Sequence, residues 1–543
     1  RLFFPLFLLL AVAAGFGINA YSYYRFPEIA EIEPNVAFPG ETITIKGKHF
    51  GNSRKGAEVR IAGLRPLSDS YLSWSDGLIE VVVPQDVNSG MITVETRRGL
   101  SNRVLFTNRQ HIPVILSGPQ KPGFPFIESI EPENGSVGDL IVINGLNFGN
   151  EKGSADIYFT SAGKNEDVSA DDYSLSGMIK CSGIDYDYES WSDQQIRVYI
   201  PDGASSGSVR IESGRGLSNA LYFEVTGSPG TKTFSDKMGY QVEYAVEISG
   251  VNSSGDNSLD IWVPAVREGL AQRKVETVTQ PLPLWDDYMG VMRYRFTGLL
   301  PSETYSVSVK SWLVRYTVET SINPSRVRTW YDENRTLYKI YTEAAEQIPA
   351  DEDVIKQRAS SATGRERNPY LKALSIYNYL LKVLDYSDNP PGPGIIENLE
   401  METGNSYTYS MLFCALSRAS GVPARPVTGV LVYNNKQAIN HHWAEFYING
   451  FGWIPVDPVL GDGVRFGNFP VDEEINPGSY YFGSIDNHHI TLTRGVVPIR
   501  QIAPEGSVAL RSDLYSLQSI YEESTGIKNY SSYWRAVKII DWW

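Results

Sequence analysis

The chain has 543 residues, a net charge of −15 and a pI near 5.0. It is too long for one hydrophobic core and divides into several domains, and its charge repels polyanions, which excludes nucleic acid as a partner. Aromatic residues at 12%, with 48 glycines and 31 prolines, fit β-rich domains joined by turns and exclude a helical bundle or a disordered chain.

Two cysteines, Cys181 and Cys414, lie far apart without a CxxC spacing. They make neither a disulfide framework nor a zinc signature, and each reads as a buried reduced thiol, which fits a bacterial envelope protein. No cofactor motif is present, and no metal site is expected.

Residues 1–26 open the chain with no charge between Leu2 and Tyr24. A run of about 20 apolar residues crosses a bilayer as a helix, and Tyr21, Tyr23 and Tyr24 supply an interfacial belt. A signal peptide cleaved near Ala20 is the other reading. The expectation is a retained anchor with the rest of the chain outside the cytoplasm.

Two copies of one pattern follow, in residues 27–108 and 125–226, with a linker over 109–124. Pro27 to Pro34 (PEIAEIEP) reappears at Pro125 to Pro132 (PFIESIEP), and Gly40, Gly47, Phe50, Gly51 and Asn52 recur as Gly138, Gly145, Phe148, Gly149 and Asn150. Trp74-Ser75-Asp76 and Gly99-Leu-Ser-Asn102 recur as Trp191-Ser192-Asp193 and Gly216-Leu-Ser-Asn219, with an acidic, Tyr-rich insert in the second copy between Ala162 and Glu189. Alternation such as Thr42-Ile43-Thr44-Ile45 predicts short strands in two tandem sandwiches, with Trp74 and Trp191 in equivalent places. Through I-x-P, the glycine run ending in F-G and G-L-S-N, both copies resemble the IPT/TIG family, an immunoglobulin-like fold. That resemblance implies spacers or binding modules and no catalysis.

Period-two alternation continues through QVEYAVEIS, SLDIWVP and TYSVSVKSWLV, predicting a third β domain over 234–325. Its Trp262-Val263-Pro264 and Gln272-Arg273 look like the β domain that precedes transglutaminase-like cores. A helical pattern follows: Asn368-Pro369 predicts a cap and first turn, Leu371, Leu374, Leu381 and Leu384 predict a core stripe, and NPPGPG (389–394) predicts an irregular loop.

The segment Gly404 to Arg425, GNSYTYSMLFCALSRASGVPAR, predicts a helix that begins near Ser406 and ends at Gly421 and Pro423. A cysteine at that start would feel the positive end of the helix dipole, which favours thiolate. HHWAEFYINGFGWIPVDP, His441 to Pro458, predicts a hairpin around Asn449-Gly450, whose register decides whether His441 or His442 meets Asp457.

The segment from Ser406 to Arg425, the H-x-W of His441 to Trp443, and GWIPVDP resemble the transglutaminase-like superfamily, a papain-like α+β fold with a Cys-His-Asp triad. The resemblance places the family's triad on Ser406, His441 and Asp457, so serine stands where the family has its cysteine. His442 is then left to the opposite face as a structural histidine, and Cys414, eight residues into the helix, is a packing residue too far along the axis to act. The domain is expected over 326–500. Asp486-Asn-His-His489 reads as loop or edge, because adjacent strand histidines face opposite ways. Residues 501–543 are expected to form a helical tail, since Trp534, Val537, Ile540 and Trp543 fall at helical spacing.

A serine hydroxyl is not ionised by a neighbouring imidazole as a thiol is, and must lose its proton during attack. The expected function is therefore that of a membrane-anchored envelope protein, periplasmic or extracytoplasmic, whose catalytically degenerate domain acts as a scaffold. Its expected partners are other envelope proteins or a peptide or cell-wall ligand. A serine-dependent amide hydrolase or acyltransferase is the alternative.

Overall fold

The computed structural model describes residues 26–543 apart from 86, 109–122, 162–174, 176, 435, 468, 470–474 and 512–513. The expected membrane anchor and most of the linker lie outside the described residues, and no helix among those described is long and apolar enough to cross a membrane. Two compact units divide between Pro119 and Gln120.

In the first unit, Glu28–Glu33, Thr42–Lys48, Leu78–Val82 and Tyr71–Trp74 form one antiparallel sheet. Glu58–Ile61, Gly90–Thr96 and Val104–Asn108 build the facing sheet. Ile43, Ile45, Ile79 and Val81 from one sheet and Val59, Ile61, Ile92 and Val94 from the other are fully buried, as alternation over a sandwich core requires. The second copy repeats the plan with Phe126–Glu131, Leu140–Leu146, Gln195–Tyr199 and Tyr188–Trp191 against Asp156–Ser161, Ala204–Ser213 and Leu221–Val225.

The repeated residues do the same work in both copies. Trp74 Nε1 donates to the carbonyls of Phe50 and Gly51 at 3.4 and 3.0 Å, and Trp191 Nε1 to that of Phe148, the counterpart of Phe50, at 3.1 Å. Asp76 and Asp193 accept from the backbone N–H of Gly51 and Gly149, each at 2.9 Å. Asn102 and Asn219 satisfy both backbone groups of Ile29 and Ile127. Gly47 and Gly145 are required by close approach, since a Cβ there would meet the carbonyl oxygen of Glu28 or Phe126 at 2.1 or 2.0 Å.

The third domain is carried by one long strand, β1 (Gly230–Pro264), with β2 (Gln272–Gln280), β3 (Val291–Thr297) and β4 (Tyr305–Ile322) in the order β2-β4-β1-β3. The domain expected over 326–500 adds α1 (Asp353–Thr363), α2 (Pro369–Val383) and α3 (Ser406–Ala419). Its antiparallel sheet consists of β5 (Ala424–Tyr433), β6 (Gln437–Ile448), β7 (Gly452–Val456) and β8 (His489–Arg494), in the order β7-β6-β5-β8.

Asn368 Oδ1 accepts from the N–H of Tyr370 and Leu371, so the Asn-Pro pair does cap α2. The buried stripe of α2 is Ala373, Ile376, Tyr377 and Leu380, continued by Leu384; Leu371, Leu374 and Leu381 flank it half-buried. The expected leucine stripe is corrected in phase, because small and aromatic residues at three- and four-residue spacing define the inner face as well as leucines do.

The expected helical tail is also corrected. β9 (Glu522–Trp534) and β10 (Lys538–Trp542) are strands that pair antiparallel along β1. Trp534, Val537 and Ile539 are buried whereas Ile540 and Trp543 are exposed. Four apolar residues spaced by three follow the helical period only loosely, and the open edge of a 35-residue strand decided for strand.

Candidate active site

Position along β6 determines what each histidine can reach. Ala444, Phe446 and Ile448 pack into the core shared with the helices, and Trp443 packs with Ala271, Val318, Val427 and Ile485 on the β-domain side. Alternation therefore sends His442 toward the helices and His441 the other way. The hairpin pairs Ala444 with Val456 and Ile448 with Gly452. Continuing that register by one places Asp457 opposite Trp443, on the face that His441 occupies and one diagonal step from it.

The geometry follows that division. His441 Nε2 lies 2.7 Å from Asp457 Oδ2, while the nearest imidazole nitrogen to Ser406 Oγ is His442 Nδ1, at 3.5 Å. His441 Nδ1 has no hydrogen-bond partner, so Ser406 does not complete a chain to Asp457. The structure thus brings together two of the three expected triad residues and places Ser406 against the histidine expected to be structural. The H-x-W spacing selected His441; strand parity gives the serine to His442.

Asn405 caps α3, its Oδ1 accepting from Thr408 N–H at 3.1 Å, and Ser406 is the first helical residue, 9% exposed. Burial, then the proximity of His441, pushes the His442 imidazole down to about 3, so the ring is neutral at ordinary pH. Its Nε2 has no hydrogen-bond partner, and Tyr407 packs edge-on at 5.4 Å between ring centroids. This dyad has no orienting acid, its hydrogen bond exceeds the roughly 2.6–3.2 Å of an engaged general base, and a base this weak provides little drive for proton removal.

Asp457 is saturated on the opposite face. Its Oδ1 accepts from Val459 and Leu460 N–H, both at 3.0 Å, and its Oδ2 accepts from His441 and from His489 Nε2 at 3.0 Å. Burial would raise its carboxyl, but the charges and hydrogen bonds of His441 and His489 outweigh that and hold it well below the usual carboxylate range. His489 Nδ1 donates to Asp486 Oδ1 at 2.9 Å. With a carboxylate on each nitrogen, His489 is an imidazolium: burial works against the charge, yet Asp486 and Asp457 raise it to about 9.

His489 is the site residue that sequence reasoning missed. It is fully buried at the start of β8, an edge strand of the sheet as expected, and Asp486 is its partner three residues earlier. The D-x-x-H spacing was the available signal. His441, Asp457 and His489 are also the trio among the described residues whose ligand atoms lie close enough to hold a metal, within 4.8 Å of one another. Both Nε2 atoms here point their protons at one carboxylate oxygen, an arrangement complete without an ion. Cys414 is buried in α3, and its thiol is pushed up to about 12 by burial.

The comparisons with known proteins agree with the architecture. The IPT/TIG domain model matches residues 27–108 and 125–226, and the transglutaminase-like superfamily model matches residues 356–458. The chain thus carries two TIG domains followed by a transglutaminase-like core. An uncharacterized protein of Haemophilus influenzae is 30% identical over 143 residues, which are 22% of this chain and 38% of that protein. The chain therefore spans well under half of that relative. Among solved structures, a candidate cysteine protease from Cytophaga hutchinsonii aligns with 57% of this chain and 93% of its own at 14% identity and a TM-score of 0.38. SGBP-B from a xyloglucan utilization locus of Bacteroides uniformis aligns with 54% of this chain and 99% of its own at 12% identity and a TM-score of 0.14.

Proposed function

We propose that this chain is an extracytoplasmic protein of a bacterial envelope, tethered through its N-terminal segment, in which the transglutaminase-like core is a catalytically silent scaffold. One observation carries the reading: Ser406 faces a neutral His442 that has no acid behind it, while Asp457 is consumed by His441, His489 and two backbone N–H groups on the other side of the strand. Acyl transfer at Ser406 would need a base able to accept its proton, and His442 is held far below that role. The tether is supported by the uncharged run from Leu2 to Tyr24, and the bacterial setting by the Haemophilus relative. The partners of such a scaffold are other envelope proteins or a peptide or cell-wall ligand.

The test is release of ammonia or amine from glutamine-containing and cell-wall stem peptides by the wild type, Ser406→Ala and Ser406→Cys. No release is expected from any of the three, the last because sulfur restored at position 406 still meets a histidine without an acid. Turnover by the wild type that Ser406→Ala abolishes would replace this reading with a serine amidohydrolase.

A further inference from the structure

Within the second unit, a cavity of about 1610 Å³ opens between the second TIG domain, the β domain and the transglutaminase-like core. That is ample for an organic ligand, since small-molecule sites occupy roughly 300–1,000 Å³. Its walls offer apolar surface from Phe234, Leu270 and Trp443.

The charges on its wall do not balance. Arg425 is paired with both Asp185 and Glu445, Arg494 reaches the same Glu445 at 3.7 Å, and Lys232 takes Asp202 at 2.6 Å. Those carboxylates are used. Arg315, on β4, is 3% exposed, forms no ion pair among the described residues, and its Nε has no hydrogen-bond partner. Burial, and after it the charge of Arg494, lowers its guanidinium only to about 10, so it stays protonated at neutral pH. Asp486 and Glu445 support that charge without forming an ion pair with it, and a buried guanidinium that lacks a directly paired carboxylate is costly and does not escape the cost by releasing its proton.

We propose that this cavity binds an organic ligand bearing a carboxylate or a phosphate, with Arg315 taking the anionic group in its planar fork and Trp443, Phe234 and Leu270 covering the body of the molecule. The site is separate from Ser406, which lies on the helix side of β6. It assigns the molecule a ligand whatever the state of the Ser406 dyad.

Titration calorimetry on the full chain, at constant ionic strength, would use glucuronate, glucose 6-phosphate and glucose as probes. Saturable binding of at least one anion and none of glucose is expected; which anion binds separates a carboxylate from a phosphate source. Arg315→Met should weaken that binding by about tenfold or more, and Arg315→Lys by less, since an ammonium keeps the charge and loses the bidentate geometry. Should Arg315→Met fail to fold, Arg315→Lys decides, and an unchanged affinity there overturns the proposal. It is equally overturned by the absence of saturable heat from both anions, by glucose binding as well as they do, or by an Arg315→Met protein that folds and binds as the wild type does.

Discussion

Asp457 is held by more partners than a triad acid needs. Two backbone N–H groups and two imidazoles converge on it, and the second imidazole, His489, brings its own carboxylate. Because the folded pKa of His489 is raised, to about 9 from 6.5, its stabilisation is fully present below pH 6.5 and is lost as pH rises through 9. That shift corresponds to about 3 kcal/mol. Buried Asp187, raised to about 8, also loses stability as pH rises, between 3.8 and 8, so the wild-type profile alone does not isolate the histidine. The difference between wild type and His489→Gln does. Chemical denaturation from pH 6 to 10 is expected to show the gap between the two proteins closing by roughly that amount. A gap constant across this range would mean that His489 is not the charged link.

The sequence made part of this site legible. Motif order located Ser406, His441 and Asp457, and the pairing of the last two is present at 2.7 Å. The partner of Ser406 was not legible, because in a His-His pair on a strand only parity distinguishes the faces, and parity follows from packing. His489 lies 32 residues beyond Asp457, beyond the reach of any hairpin argument.

Among the elements, legibility followed the strength of the local pattern. The TIG strands carry strict alternation and a repeated set of turn, tryptophan and asparagine bonds, so two copies in one chain exposed them. α2 and the C-terminal strands were read less well, since a few apolar residues at spacings of three or four suit more than one face or period. The consequence for β9 is measurable. Trp534 is buried against Tyr515 and Tyr521 and donates from Nε1 to Glu522 Oε1 at 2.6 Å, and Glu522 is itself buried and also bonded to Arg511, Tyr530 and Ser532. Trp534→Ala is expected to cost about 3–5 kcal/mol, the range for emptying a large aromatic site. A solvated helical tail would make the same substitution nearly neutral, so urea denaturation of the variant discriminates the two.

At the scale of the whole molecule, the second TIG domain, the β domain and the core form one compact unit. Ion pairs join them: Lys232 with Asp202, and Arg328 with Asp139 at 2.7 Å. The tightest junction is Arg425, from the Gly-Val-Pro-Ala-Arg run that follows α3. It bonds Glu445 on β6 and Asp185 from the insert that only the second TIG copy has, and its guanidinium lies 3.8 Å from the Trp453 ring centroid. The described part of the insert thus supplies acidic groups to the core, and this separates the second copy from the first. Arg425→Met keeps the packing over Trp453 but leaves Asp185 and Glu445 buried without their main counter-charge, which costs about 3–5 kcal/mol when one partner of a buried pair is removed. Calorimetry of the 120–543 unit is expected to give one transition for the wild type. For Arg425→Met it should give a lower Tm with the TIG domain unfolding apart from the core. A single transition at the wild-type Tm would show that apolar contact, and not this arginine, joins the domains.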